Sequence, residues 1–152
     1  MEQPLTLAEA ETEIIEEFDL FDEPREAIEH IVELGRELAP MDEALKTDGA
    51  LVRGCQSRVW LVAELDAESG RMHLKADSDA VIVKGLIVLV LRLFDRRAAN
   101  EIAATETQVF ERGSASASCS PGRQNGLYSM LTRIRQLAAA YATAGNAGSG
   151  PG

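Results

Sequence analysis

Two cysteines, Cys55 and Cys119, carry the most reactive side chains in this sequence. A thiol does covalent chemistry only as the thiolate, so its neighbours decide its reactivity. Cys55 follows Gly54 at a kink between two extended segments, and Arg53 and Arg58 lie near it in sequence. Glycine lets the backbone turn where a Cβ would clash. A nearby cation favours the thiolate, and loop tips on a rigid sheet are favoured positions for reactive groups. The same residues also fit a small buried apolar cysteine, a common fate of free thiols. Pattern alone does not choose between the two.

Other chemistries lack their residues. The sequence has no Gly-rich phosphate loop, no metal-ligand pair on one helix face and no Cys-x-x-Cys. His30 sits among Ile28, Ile31 and Glu33 on a helical pattern, and His73 faces outward between Met72 and Leu74 on a strand. Neither has the local pattern of the general base that a Cys–His hydrolase needs, so both are expected to be structural or simply exposed. The net charge of −10 argues against nucleic acid and against an anionic membrane surface, since both need clustered Lys and Arg. It is compatible with a basic protein partner, or with acidity for solubility alone. Met1 to Leu5 shows no basic region followed by an apolar run, so no signal peptide is expected and the chain is expected to be cytoplasmic, with free thiols. The longest apolar run, Ala80 to Phe94, is interrupted by Lys84 and Arg92 and is shorter than the roughly 20 residues that span a bilayer.

The elements that must position Cys55 can be read from periodicity. Leu7 to Phe18 puts Ile14, Ile15 and Phe18 on one face of an acidic helix. A second helix is expected from the Asp22 cap and Pro24, with Ile28, Ile31, Val32 and Leu38 at helical spacing before Pro40. Leu51 to Arg53 reads as a short extended piece, and Arg58 to Glu64 and Arg71 to Ala76 as two strands joined at the Ala67-Glu68-Ser69-Gly70 turn. Trp60 is expected to anchor the sheet in the core. Asp77-Ser78-Asp79 offers capping oxygens to a helix over Ala80 to Phe94, although Val81-Ile82-Val83 and Leu86 to Leu91 would also suit strands. Asn100 to Ala104 suggests a short helix, and Pro121 opens a last one through about Ala140, with Leu127, Met130, Leu131, Ile134 and Leu137 on one face. The expected organisation is a single domain over 1–142, its first six residues or so flexible, and a disordered tail over 143–152. Helices, a small antiparallel sheet, then helices again is the order of an α+β domain.

Three segments, in order, resemble the SufE family of sulfur acceptors. They are Leu51-Val52-Arg53-Gly54-Cys55-Gln56-Ser57-Arg58-Val59-Trp60-Leu61, Ala76 to Leu86, and Ser120-Pro121-Gly122-Arg123-Gln124-Asn125-Gly126-Leu127. The region around Ile31 to Gly35 is similar as well, so the resemblance spans roughly Ile14 to Leu137. It implies an α+β fold with a small antiparallel sheet packed against helices, a SufE/IscU-like scaffold fold. It implies that Cys55 takes sulfur from a persulfide on a cysteine desulfurase of the SufS or CsdA kind and stimulates that enzyme. It also implies that a downstream iron–sulfur scaffold receives the sulfur. Cys55 would be the catalytic residue, with Arg53, Gly54, Gln56, Ser57, Asp79 and Arg123 in the persulfide loop or the partner contact. No cofactor is expected in this chain, since the pyridoxal phosphate belongs to the desulfurase. The sequence departs from the family pattern at Glu111 to Cys119, where Cys119 replaces a usual Leu, and at Gly122. Two other functions stay open: an iron–sulfur cluster scaffold, and a thiol redox sensor using Cys55 and Cys119.

Overall fold

The computed structural model describes residues 6–52, 57–105 and 121–149. Helix α1 (Leu7–Asp19) begins at a capping box, in which Thr6 and Glu9 each accept the other's backbone N–H. It buries Leu7, Ala10, Ile14 and Phe18 at the spacing expected for one face. Helix α2 (Pro24–Glu37) has Pro24 in its first turn, but its N-cap is Glu23, with no side-chain bond, rather than Asp22. The fixed φ of proline starts this helix without a side-chain cap. It buries Ala27, Ile31 and Gly35, with Ile28, Val32 and Leu38 half-buried, and Leu38 is already extended two residues before Pro40.

Strands β1 (Val59–Asp66) and β2 (Arg71–Ser78) form an antiparallel hairpin with Val59 opposite Ser78 and Asp66 opposite Arg71. Its turn is tied by the Asp66 carboxylate, which accepts from the Ser69 hydroxyl at 2.7 Å and from Glu68 N at 3.2 Å. The two-residue strand β3 (Arg97–Ala98) adds to β2 at Arg71 and Met72, giving the order β1-β2-β3. Val59, Leu61, Met72, Leu74 and Ala76 face the core, while Arg71, His73 and Lys75 face outward. Trp60 is only half-buried, a departure from the expected core anchor. Alternation along β1 puts it on the face opposite Val59 and Leu61, with Lys46 Nζ 5.0 Å from its ring centre.

The apolar run after β2 forms helix α3 (Val81–Phe94), not strands. Burial decides the matter: a 14-residue helix satisfies its own backbone in a core that surrounds Leu86, Ile87, Leu89, Val90, Leu93 and Phe94. Helices α2 and α3 cross at Gly35 and Gly85. A Cβ on Gly85 would overlap the Ile31 carbonyl, and one on Gly35 would overlap the Val81 carbonyl. Helix α4 (Ala99–Ala104) follows, and the Glu101 carboxylate accepts from Leu7 N at 2.9 Å, tying it to the start of α1. Helix α5 (Pro121–Ser149) buries Leu127, Met130, Ile134 and Ala138. It continues past Ala140 and takes in residues 143–149, which were expected to be part of a disordered tail. The stretch from Ala138 onward is rich in alanine, the strongest helix former, which offsets Gly145 and Gly148.

Glu17 joins three helices. Its carboxylate accepts from both terminal nitrogens of Arg92 on α3, each at 3.2 Å, and His30 Nε2 on α2 lies 2.6 Å away. Phe18 and Phe21 pack against the His30 ring, so this histidine is structural. Burial opposes ionisation of Glu17, but the Arg92 and His30 contacts outweigh it and hold the carboxyl below its ordinary range. Glu17→Gln is expected to cost about 1–2 kcal/mol, since the bidentate pair is only partly screened by solvent; urea unfolding at neutral pH measures it.

Candidate functional site

Val52 N donates to Val59 O at 2.8 Å and Leu51 bridges Trp60, so the chain enters and leaves the segment between Val52 and Val59 at one place. Cys55, Arg53, Gly54 and Gln56 fall between these stems and lie outside the described residues, as does Cys119. Arg123 is in the first turn of α5, and its side chain also lies outside them. Ser57 is half-buried at the start of the exit stem.

The exit stem is fastened to the end of β2. Arg58 N donates to Asp79 Oδ1 at 3.1 Å, and the Arg58 carbonyl accepts from Ser78 Oγ at 2.7 Å and Asp79 N at 3.4 Å. This corrects the expected capping role of the Asp77-Ser78-Asp79 run: the N-cap of α3 is Ala80, whose side chain caps nothing, and Ser78 Oγ accepts from the Ala80 N–H at 3.3 Å rather than from a first-turn amide. Asp79 is exposed and reaches across to the loop stem, because the stem's unpaired N–H needs an acceptor. Of the expected site residues, the described part brings Asp79 to the stem that carries Ser57, whereas the relation of both to Arg123 rests on a side chain outside it.

Arg133, Asp77, Lys46 and Lys84, none of them expected at the site from the sequence, complete the stems. On the entry side, Arg133 of α5 donates from Nη2 to Gly49 O at 2.7 Å and from Nη1 to Leu51 O at 3.1 Å. No local signal marks it, for its partners are backbone groups 84 and 82 residues away. Asp77, opposite Trp60 on β2, is buried and accepts from Ser78 N at 2.8 Å and Met41 N at 3.3 Å. Lys46 Nζ lies 3.4 Å and Lys84 Nζ 3.8 Å from its two oxygens. Burial opposes the Asp77 charge, but the Ser78 and Met41 amides and the two ammonium groups overcome it and hold the carboxyl below its ordinary range. Glu43 first, and Asp77 with it, raise Lys46 above its own. A groove of about 460 Å³ runs beside the entry stem, lined by Val52, Tyr128, Thr132, Arg133 and Leu137. Among the described residues there is no group of three or more His, Cys, Asp or Glu that could hold a metal ion, and no helix long and apolar enough to cross a membrane.

Both stems are pinned to rigid elements, so the chain leaves and rejoins the described part at fixed points on either side of Cys55. The family model of the SufE Fe-S metabolism associated domain matches residues 12–138, which include both stems and all the expected site residues. The chain belongs to the SufE family. An uncharacterised SufE-like protein of Rhizobium etli is 37% identical over 135 residues, covering 87% of this chain and 91% of the relative. One of Rhizobium meliloti is 36% identical over 129 residues, covering 83% and 92%. The fold is similar to the solution structure of a hypothetical protein from Thermus thermophilus, with a TM-score of 0.71 over 88% of this chain and 96% of that one, at 15% identity. The expected α+β class is therefore the fold observed, and as a SufE-family protein the chain is associated with iron–sulfur metabolism.

Proposed function

We infer that this SufE-family protein is a cytoplasmic sulfur acceptor. Cys55 takes sulfur from the persulfide of a pyridoxal-phosphate cysteine desulfurase, stimulates its turnover and passes the sulfur on toward iron–sulfur cluster assembly. The observation that carries the reading is the position of Cys55: it is the cysteine between two fastened stems, within the family match.

The chemistry is an exchange without net oxidation. The Cys55 thiolate attacks the terminal sulfur of the donor persulfide. A new S–S bond forms on Cys55 as the donor S–S bond breaks, and the donor cysteine leaves as a thiolate. The step needs an ionised acceptor with an open line of approach, and Arg53 and Arg58 provide positive charge near it in sequence. Glycine at 54 leaves the backbone next to Cys55 without a Cβ to restrict it, and Gln56 and Ser57 supply polar groups for the bound sulfur. Arg123 is assigned to the partner contact.

Desulfurase turnover, measured with the wild-type chain and with Cys55→Ser, tests this. The wild type is expected to stimulate turnover and to gain one sulfur on Cys55 by mass spectrometry. Cys55→Ser is expected to do neither, and equal stimulation by both would overturn the reading.

A further inference from the structure

We propose that Arg133 is a positioning residue for Cys55, acting through the entry stem of its loop. The functional part of this proposal rests on the sulfur-acceptor reading above.

The entry stem is one strip of backbone, Gly49 to Val52, with different partners on its two sides. On one side Val52 N reaches Val59 O, and Leu51 bridges Trp60. On the other, the carbonyls of Gly49 and Leu51 accept the two terminal nitrogens of a single guanidinium. The planar fork of arginine fits two acceptors at once, whereas an ammonium would meet them as a point charge. Arg133 stands on α5 next to Ile134, which is fully buried, so the fork is mounted on an element fixed in the core. The exit stem has its own fastening in Ser78 and Asp79. Without Arg133 the side of the entry stem facing α5 would lose both bonds, and from Leu51 the chain reaches Cys55 four residues later.

A pinned stem fixes the point and direction from which the chain sets out toward Cys55. A small reagent reacts with a thiol in any exposed conformer, whereas a protein donor needs the sulfur in one place and one orientation. Loosening the stem therefore has opposite effects on the two reactions, a signature that general destabilisation does not produce under native conditions.

The test uses the full chain with Arg133→Gln and Arg133→Lys. Alkylation of Cys55 by iodoacetamide is followed by peptide mass mapping, and sulfur transfer from a desulfurase supplied with cysteine is resolved into kcat and KM for the acceptor. Arg133→Gln is expected to alkylate about threefold faster or more and to raise KM about three- to tenfold with kcat little changed, the range that two modest hydrogen bonds give. Arg133→Lys is expected between it and wild type. Arg36→Gln, which loses only an exposed ion pair with Glu33, is expected to match wild type in both assays. Wild-type alkylation rates in both Arg133 variants, an unchanged KM in Arg133→Gln, or the same changes in Arg36→Gln would each overturn the proposal. A wild-type chain that accepts no sulfur would overturn only the acceptor reading, and the alkylation rates would still decide the role of Arg133.

Discussion

Gly85→Ala is expected to destabilise the chain by about 3 kcal/mol or more, lowering the melting temperature by roughly 6–12 °C. The new methyl group would overlap the carbonyl oxygen of Ile31 and lie 2.5 Å from its Cγ2 atom. The obstacle is backbone, which cannot rotate away as a flexible side chain does, so the two helices must separate. Separation exposes residues on both: Ile31 is fully buried on α2, and Leu86, Ile87 and Leu89 are buried next to Gly85 on α3. Gly35→Ala is expected to act alike, since its Cβ would lie 2.8 Å from the Gly85 nitrogen as well as overlapping the Val81 carbonyl. Gly49→Ala is the control, because the nearest atom there is Thr47 Oγ1 at 3.8 Å. Thermal unfolding of the three variants measures the effect. A Gly85→Ala melting temperature within about 2 °C of Gly49→Ala would show that the helices do not cross this closely.

Asp77→Ala is expected to cost about 3–5 kcal/mol, the usual result of removing one partner from a buried ionic cluster. It leaves the Met41 and Ser78 amides without their acceptor and Lys84 without its counter-charge, while Lys46 keeps Glu43 at 3.2 Å. The pH dependence has a definite sign. The folded Asp77 carboxyl is held below its ordinary value, so the unfolded chain binds the proton first as pH falls. Its contribution is fully present above an unfolded pKa of about 4 and is lost as pH drops through the lower folded value. Glu17 acts in the same direction, so wild-type stability will fall on acidification even without Asp77. The difference between wild type and Asp77→Asn isolates the Asp77 part. Urea unfolding at a series of pH values is expected to show that difference shrinking below about pH 4. A difference independent of pH would mean that Asp77 is not ionised in the folded chain.

The residues that make long, regular contacts are legible in the sequence itself. The two N-terminal helices, the hairpin at Ala67 to Gly70 and the apolar face of α5 follow from periodicity and turn chemistry, because their partners are a few residues away or share one face. Helix α3 was legible through its length, despite the β-branched residues at its start. What escaped the sequence was where polar side chains point once the chain closes. Asp79 reads as a helix cap from its position, yet in the fold the nearest unmet donor is Arg58 N, 21 residues back. Arg133 looks like any exposed arginine on an amphipathic helix until Gly49 and Leu51 are laid beside it. Asp77 reads locally only as one of three capping residues, since nothing near it in sequence tells that Lys46 and Lys84 converge on it. The site residues Arg53, Gly54, Cys55, Gln56 and Arg123 stand on motif resemblance, whereas the stems that hold the loop stand on geometry.

The chain has a single tryptophan, Trp60, and it is built into the first rung of the loop stem, opposite both Leu51 and Asp77. Its half-buried ring carries the Lys46 ammonium on one face. The protein thus contains its own optical gauge. Withdrawal of the cation or a shift of the stem changes the field and the water around the only indole. Its emission will therefore report a movement of the stem without any added label.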